Sequence, residues 1–356
     1  MTAPPLDPGE PAPWFKAASA SSPEFVFDTA GGRFVLMLFL PVATEPRKAA
    51  LSALARGQRL FDEATLAAFV VVREPETAAQ VRDLRGLRWI LDEGREVSRL
   101  YGADNAGFWL LLDPALRVMR RAAIEDAPAL FAELAALPAP GDPAGAPLHA
   151  PVLIAPRIFE PALCAELIAL HASRGGGEFT GVMRDKGDVT VMEMDELKRR
   201  RDLLVEDDAL RAAIAERLQR RLFPFIGRAL ASEVTRIERY LISCYDAEDG
   251  GVFHAHRDNT TFQTAHRKFA CSINLNDDFE GGDLRFPEFG PTTYRPPVGG
   301  AVVFACGLMH EALRVRRGRR YAFLPFLYDE AGAEVREAYL RRAGRDGSAS
   351  RHGGAS

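Results

Sequence analysis

The chain divides where its composition changes most sharply. The run from Leu137 to Pro151, LPAPGDPAGAPLHAP, consists mainly of Pro, Gly and Ala and has no apolar periodicity. Such a composition is typical of a linker between folded domains. A chain of 356 residues also favours two domains, since roughly 150 residues make one domain. We therefore predict domains at residues 1–137 and 152–330, joined by a linker at residues 138–151.

Charge and hydropathy exclude several classes of partner. Lys and Arg together number 45 against 49 Asp and Glu, so the net charge is −4. This balance lacks the basic footprint of a protein that binds nucleic acid or an anionic membrane. No apolar run approaches the roughly 18 residues of a membrane span. The opening MTAPPLDPGEPAPWF lacks the basic and apolar regions of a secretory signal. The sequence predicts a cytoplasmic protein.

The cysteines are confined to the second predicted domain. Their spacing is not that of a zinc site, and each lies in an apolar run, which predicts four small buried hydrophobic residues. They are Cys164, Cys244, Cys271 and Cys306.

The first domain alternates apolar runs with helical patterns. Continuous apolar runs predict strands buried on both faces, and the alternation with helices favours an α/β sandwich. The predicted strands are Arg33–Leu40, Ala67–Val72 and Phe108–Leu112, and the predicted helices are Lys48–Phe61 and Ala122–Leu137.

In the second domain helices precede short strands. This order favours a jelly-roll or barrel supported by helices. In Lys268–Asn276 apolar and polar residues alternate, which predicts a strand with one face toward a polar space. Residues 331–356 predict a short helix, EVREAYLRRA, followed by a disordered tail. The remaining predictions are helices at Pro161–His171 and Asp208–Leu230 and strands at Gly300–Cys306 and Tyr321–Tyr328.

Three residues form a candidate metal-binding set. His256 and Asp258 are two positions apart on a predicted strand and therefore share a face. His310, which follows another predicted strand, is the natural third ligand. Two histidines and one carboxylate leave three coordination positions open, as in non-haem iron oxygenases. Taken singly, each has an ordinary explanation, because His-x-Asp is common in surface turns and a single histidine often belongs to a core.

A cation ten residues after His310 strengthens this interpretation. Arg320 begins the apolar run RYAFLPFLY, and its planar guanidinium suits a two-point grip on the distal carboxylate of a 2-oxo diacid. Arg319 takes that place if the strand register slips by one residue, although it should point to the opposite face.

These residues lie in three stretches that resemble a known family. ERYLISCYDAEDGGVFHAHRD, INLNDDFEGGDLRFPEFG and PPVGGAVVFACGLMHEALRVRRGRRYAFLPFLY are similar to the prolyl 4-hydroxylase-like branch of the 2-oxoglutarate and Fe(II)-dependent dioxygenases. The resemblance implies a double-stranded β-helix in which His256, Asp258 and His310 hold catalytic iron. It also implies that Arg320 binds the C5 carboxylate of 2-oxoglutarate, with Tyr245 hydrogen-bonded to the same group, and that ascorbate serves as reductant.

The implied reaction is hydroxylation of a C–H bond with release of succinate and CO2. Because Asp258 is present, hydroxylation is expected rather than the halogenation of relatives that lack this carboxylate. The substrate stays open among a prolyl or other side chain of a protein, a free amino acid and a small metabolite, since one fold serves many substrates. The alternative is a non-catalytic sensor or scaffold that binds Fe(II) and 2-oxoglutarate and recruits partners through its first domain.

The first domain resembles a peroxiredoxin or thioredoxin-like domain. The resemblance rests on GEPAPWF, FDTAGGRFVLMLFLP and VSRLYGADNAGFWLLLDPALRV. In that family the loop after the strand carries the reactive cysteine, whereas here it reads PVATEPRKAA. We therefore expect a domain without redox activity that serves as a scaffold, for substrate docking or for assembly of a homodimer.

Overall fold

The computed structural model describes residues 4–74, 81–103, 106–187 and 189–349, with the side chains of residues 344–349 excepted. It forms two compact units. The first comprises Met1–Ala150 with Pro287–Pro291, and the second comprises Pro151–Phe286 with Thr292–Ser356. The division at Ala150 coincides with the end of the predicted linker.

The first unit contains one mixed seven-stranded sheet of order β2-β1-β5-β4-β3-β6-β7. The three central strands β3, β4 and β5 run parallel, and the other pairs are antiparallel. The strands are β1 Lys16–Ser19, β2 Phe25–Val26, β3 Phe34–Phe39, β4 Leu66–Val72, β5 Leu87–Leu91, β6 Phe108–Leu112 and β7 Val118–Ala122.

Burial on both faces explains the continuous apolar runs of this sheet. Every residue of β3 and β4 is buried. Side chains alternate along a strand, so Leu36 and Leu38 contribute to one apolar cluster while Val35 and Met37 contribute to another. The α-helices of the described part are Thr44–Arg56, Glu96–Leu100 and Ala127–Ala135.

Two predicted helices of this unit had the wrong bounds. The first begins at Thr44, earlier than predicted, and is followed by a 3-10 turn at Gln58–Leu60. The second is shorter than Ala122–Leu137, because Ala122 is the last residue of the edge strand β7 and Ile124–Asp126 forms a 3-10 turn. The helix begins only near Pro128, a residue favoured in a first turn because it lacks a backbone donor.

The second unit is dominated by two antiparallel sheets. The larger has nine strands in all, with the path β14-β25-β17-β24-β15-β13-β9, and β21 pairs with both β17 and β8. The smaller has the order β12-β16-β22-β19-β20. The strands are β8 Leu153–Ala155, β9 Glu178–Phe179, β10 Val182–Lys186, β11 Val189–Glu193, β12 Lys198–Arg199, β13 Arg201–Leu204, β14 Arg236–Glu238, β15 Leu241–Asp246, β16 Val252–His256, β17 Phe269–Asn274, β18 Glu280–Gly281, β19 Leu284–Arg285, β20 Thr293–Tyr294, β21 Ala301–Ala305, β22 His310–Ala312, β23 Val315–Arg317, β24 Arg319–Phe323 and β25 Phe326–Tyr328.

Helices cover one face of the larger sheet. Leu167 and Ile214 pack with Cys271 and Ile273 of β17 in one apolar cluster. The alternate residues of β17 therefore point to the other face of the sheet. The helices are Pro161–Ser173, Asp208–Arg217 and Phe223–Leu230, the last two joined by a π-helical turn at Leu218–Leu222.

Two predictions at the end of the chain need correction. The run Tyr321–Tyr328 forms two strands, because β24 ends at Phe323 and Pro325, which lacks a backbone donor, separates it from β25. The terminal helix spans Glu330–Ala349 and is longer than predicted. Its glycines each cost only about 1 kcal/mol relative to alanine and do not end it. The predicted tail beyond it lies outside the described residues.

The cysteines are all buried and unpaired. In the part of the chain that the structure describes, no helix combines the length and the apolar character that crossing a membrane requires.

Candidate functional site

The second unit brings His256, Asp258 and His310 together. One potential ligand atom from each lies within 4.8 Å of those of the others. Asp258 Oδ1 lies 3.5 Å from His256 Nε2, and its Oδ2 lies 3.2 Å from His310 Nε2. The histidines face each other across neighbouring strands, because His256 of β16 is in register with His310 of β22.

Asp258 lies beyond the strand on which the sequence placed it. β16 ends at His256, after a register shift that begins at Phe253. The Asp258 amide donates to the Cys306 carbonyl at 3.0 Å. The carboxylate is thus aimed by an irregular strand end and a backbone anchor, a common arrangement beside functional sites.

The histidine tautomers suit a metal ion. His256 Nδ1 is 2.7 Å from the His254 carbonyl, and His310 Nδ1 is 3.0 Å from the Leu308 carbonyl. A carbonyl only accepts, so each Nδ1 carries a hydrogen and each Nε2 is turned toward Asp258, where a metal ion would lie. His254 itself is exposed and contributes only its carbonyl. This orientation of imidazoles by an outer hydrogen bond is typical of metal ligands.

The pKa shifts of His256 and Asp258 also suit a cation. Burial followed by repulsion from His310 lowers the pKa of His256. Burial opposes ionisation of Asp258, but His310 and His256 outweigh it and hold the pKa of that carboxyl well below its ordinary value. A neutral imidazole and an ionised carboxylate are states that bind metal. This donor set fits Fe(II) with open positions.

Arg320 is a buried cation beside this set. It is 2 % exposed, donates from Nη2 to Ser272 Oγ at 2.8 Å and to Asn274 Oδ1 at 3.1 Å, and lies over the Tyr245 ring at 5.3 Å. No carboxylate of the described residues lies within 4.0 Å of it. Arg319, by contrast, is exposed and bonded to Asp246. A buried guanidinium without an anion is a candidate carboxylate-binding group.

Tyr245 stands opposite Arg320 in the pairing of β15 with β24. Its hydroxyl accepts from Arg200 Nη1 at 3.2 Å. The phenol is therefore held beside Arg320 by a second guanidinium.

The triad and Arg320 line one cleft. Tyr245 and Ser272 line it as well. Apolar walls are contributed by Leu284, Phe304 and Phe326, which favours exclusion of water. Phe253 stacks on the His256 ring at 3.6 Å and restrains it.

Several cleft residues were missed from the sequence. Ser272 and Asn274 were placed on a polar strand face but not connected with Arg320. Arg239 also lines the cleft and lies in the first stretch of the family resemblance, but the sequence predicts no role for it. Arg200, another cleft residue, lies where the sequence predicted no element.

His266 and Arg267 are packed behind the metal-binding residues. His266 is 5 % exposed, and its Nε2 lies 2.7 Å from Glu238 Oε2. Arg267 donates to Glu238 Oε1 at 2.6 Å and to the Asp258 carbonyl at 3.2 Å. They support the backbone behind the triad.

Comparison with known proteins identifies this region. Residues 240–328 match the sequence model of the 2OG-Fe(II) oxygenase superfamily. A PKHD-type hydroxylase of Stutzerimonas stutzeri (strain A1501) is 31% identical over 131 residues, covering 33% of this chain and 56% of the relative. A PKHD-type hydroxylase of Synechococcus sp. (strain JA-3-3Ab) is 28% identical over 100 residues, covering 26% of this chain and 44% of the relative. The chain thus spans about half the length of these curated relatives.

Solved structures with lower overall similarity include two prolyl hydroxylases. One, from Trichoplax adhaerens in complex with a hypoxia inducible factor peptide fragment, has a TM-score of 0.41 and 17% identity, covering 52% of this chain and 86% of its own. The other, a prolyl-4-hydroxylase of Pseudomonas putida, has a TM-score of 0.37 and 17% identity, covering 50% of this chain and 91% of its own. The predicted family resemblance is confirmed by the sequence matches.

Proposed function

We propose that this chain is a 2-oxoglutarate- and Fe(II)-dependent oxygenase that hydroxylates a C–H bond, since residues 240–328 match the sequence model of the 2OG-Fe(II) oxygenase superfamily. The observation that carries the proposal is the triad His256, Asp258 and His310, whose ligand atoms lie within 4.8 Å of one another. Both Nε2 atoms point to the carboxylate, so they are placed to bind a metal ion.

In this proposal Arg320 holds 2-oxoglutarate. Its guanidinium is fixed by Ser272 and Asn274 and has no carboxylate partner among the described residues, so the C5 carboxylate supplies the missing charge. Tyr245, which is paired with Arg320 on the neighbouring strand, adds a phenol to the same end of the cleft. The apolar walls keep water away from the reacting atoms and strengthen the charge–charge contacts.

The bound Fe(II) would supply the O2 chemistry that couples decarboxylation of 2-oxoglutarate to C–H oxidation, giving succinate and CO2, with ascorbate as reductant. The chain's own residues orient and insulate this chemistry. Phe253 and the carbonyls of His254 and Leu308 keep the imidazoles in one orientation. Arg267 anchors the backbone at Asp258.

The first experiment is anaerobic addition of Fe(II) and 2-oxoglutarate to metal-free protein, with the visible absorption of the chelate as readout. Wild type should show the band and His310→Ala should lose it. His254→Ala is the matched control, because it removes an exposed imidazole but keeps the carbonyl that orients His256, and it should keep the band. Folded wild type without a band would refute the proposal. A band without substrate-stimulated succinate release from any protein, peptide or amino acid would favour the sensor alternative.

For the first unit we propose a thioredoxin-like domain without redox activity. The support is the parallel arrangement of β3, β4 and β5 and a loop after β3 that carries no cysteine. In a peroxide-reduction assay with thioredoxin as electron donor, the full chain should be inactive. A measurable rate that survives removal of Fe(II) would contradict this.

A further inference from the structure

One cation of the cleft has neither a carboxylate partner among the described residues nor a ligand in the proposed function. The cleft is lined by Arg200, Arg239 and Arg320. Arg320 is assigned above to 2-oxoglutarate. Arg200 pairs with Asp202, since its Nε lies 2.7 Å from Oδ1 and its Nη2 donates to Oδ2 at 2.9 Å. Arg239 is left without such a role.

The surroundings of Arg239 are those of an unfilled binding group. Its Nε is buried and has no hydrogen-bond partner, and no carboxylate of the described residues lies within 4.0 Å of its guanidinium. The guanidinium lies over the Phe326 ring at 4.3 Å, which restrains it within the cleft wall. Its backbone has a φ of 48°, in the left-handed region that such a residue rarely adopts. Strain of this kind concentrates at ligand-binding positions.

The neighbouring carboxylates are engaged elsewhere, because each already bonds two other side chains. Asp202 binds Arg200 and also Lys198, whose Nζ lies 3.0 Å away. Glu238 binds Arg267 at 2.6 Å and faces His266 at 2.7 Å.

Burial and then repulsion from Arg267 and Arg200 lower the pKa of Arg239 to about 10. The group therefore stays charged at neutral pH in surroundings that disfavour its charge. Binding of an anion offsets the free-energy cost of this buried positive charge.

We propose that Arg239 binds a carboxylate of the substrate, so that this oxygenase acts on a carboxylate-bearing molecule. The inference rests on the proposed function and adds the class of substrate to it. In that function the metal ion and Arg320 would bind the two carboxylates of 2-oxoglutarate. Arg239 is therefore available to the substrate. The planar fork of arginine favours a two-point carboxylate contact. The carboxylate belongs either to a free acid or to an acidic side chain of a peptide.

The test uses 4-fluorobenzoate as a probe, with 4-fluorobenzamide as its neutral counterpart. Full-length protein is loaded with Zn(II) in place of Fe(II) and with saturating 2-oxoglutarate, so that Arg320 is occupied, and binding is followed by ¹⁹F NMR. Wild type should bind the acid at least about tenfold more tightly than the amide, and Arg239→Met should lose that preference. Equal binding of acid and amide by wild type, or an unchanged preference in Arg239→Met, would overturn the proposal.

Matched variants separate recognition from folding. Arg236→Met removes an exposed arginine of β14 that pairs with Glu330, and it should bind like wild type. Arg239→Lys keeps the charge but not the fork and should retain part of the preference. If Arg239→Met does not fold, the acid preference of Arg239→Lys tests the proposal in its place. A preference fully retained in Arg239→Lys would exclude a two-point contact.

Competition then distinguishes the two sources of the carboxylate. Displacement of the probe by L-glutamine assigns a free acid, and displacement by Ac-Gly-Glu-Gly-NH2 but not Ac-Gly-Gln-Gly-NH2 assigns an acidic side chain. Displacement by neither would mean an adventitious anion site and would overturn the proposal.

The Fe(II) chelate band keeps this proposal separate from the proposed function. Arg239→Met should show it at the wild-type 2-oxoglutarate concentration. Absence of the band in wild type would refute the function, whereas a normal band without acid preference would refute only the inference.

Discussion

Two strands of equal length and equal burial differ in what they bury. β3 of the first unit, FVLMLF, and β17 of the second, FACSIN, each have six residues, and all are buried. β3 is apolar on both faces because apolar clusters cover both. β17 is apolar only toward the helices, and on its other face Ser272 and Asn274 bind Arg320. Full burial therefore does not require an apolar strand where a buried charge can satisfy the polar face.

The largest effect should come from the metal ligands beside β17. Asp258→Asn keeps the shape of the side chain but removes its charge, and we expect Fe(II) affinity to fall more than about 100-fold, since changes in groups that merely orient ligands already cost 10–100-fold. Titration of Fe(II) with 2-oxoglutarate present measures this. Asp246→Asn, which alters a carboxylate bonded to exposed Arg319, should bind normally. Equal losses in both variants would show a folding defect instead.

Truncation in β3 should act on stability and not on the cleft. Leu36→Ala removes a side chain that is 1 % exposed and should destabilise the first unit by about 2–5 kcal/mol, because it leaves a cavity. Thermal or denaturant unfolding of the full chain reports this loss. The chelate band of the folded protein should persist at the wild-type 2-oxoglutarate requirement. If the folded variant lost the band, β3 would affect the cleft as well as stability, contrary to the expectation.

Arg320→Met should raise the 2-oxoglutarate concentration needed for the band about 100-fold, since two charge-assisted hydrogen bonds are worth about 3 kcal/mol together. Arg319→Met is the control, because that neighbour is exposed. If the two variants behave alike, Arg320 does not bind the cosubstrate carboxylate.

The polar face of β17 should show a smaller effect of the same kind. Asn274→Ala removes an acceptor of Arg320 Nε and Nη2 and should weaken 2-oxoglutarate binding about tenfold, because the guanidinium loses its orientation. Asp277→Ala, which removes an exposed side chain just beyond β17, should leave binding unchanged. An unchanged requirement in Asn274→Ala would mean that Ser272 alone positions Arg320.

Much of the fold could be predicted because local pattern and final environment agree. The runs at β3 and β4 are apolar enough to be strands in any setting, and the alternation around β17 indicated one polar face. The helix predicted at Ala122–Leu137 failed where pairing with β6 outweighed helical pattern. Such pairing depends on a partner strand, which local pattern does not reveal.

The site divides in the same way. The types and order of the ligands, His256, Asp258 and His310, and the cation after them are properties of the chain, because coordination chemistry admits few side chains. The sequence does not show that these residues converge, since their convergence depends on the register of β16 with β22 and on the irregular end of β16. The choice between Arg319 and Arg320 also came from the tertiary structure, because the pairing of β24 with β15 turns only one of them inward. Arg239 belongs wholly to this second category, because a missing partner can be recognised only after every neighbouring charge has been placed.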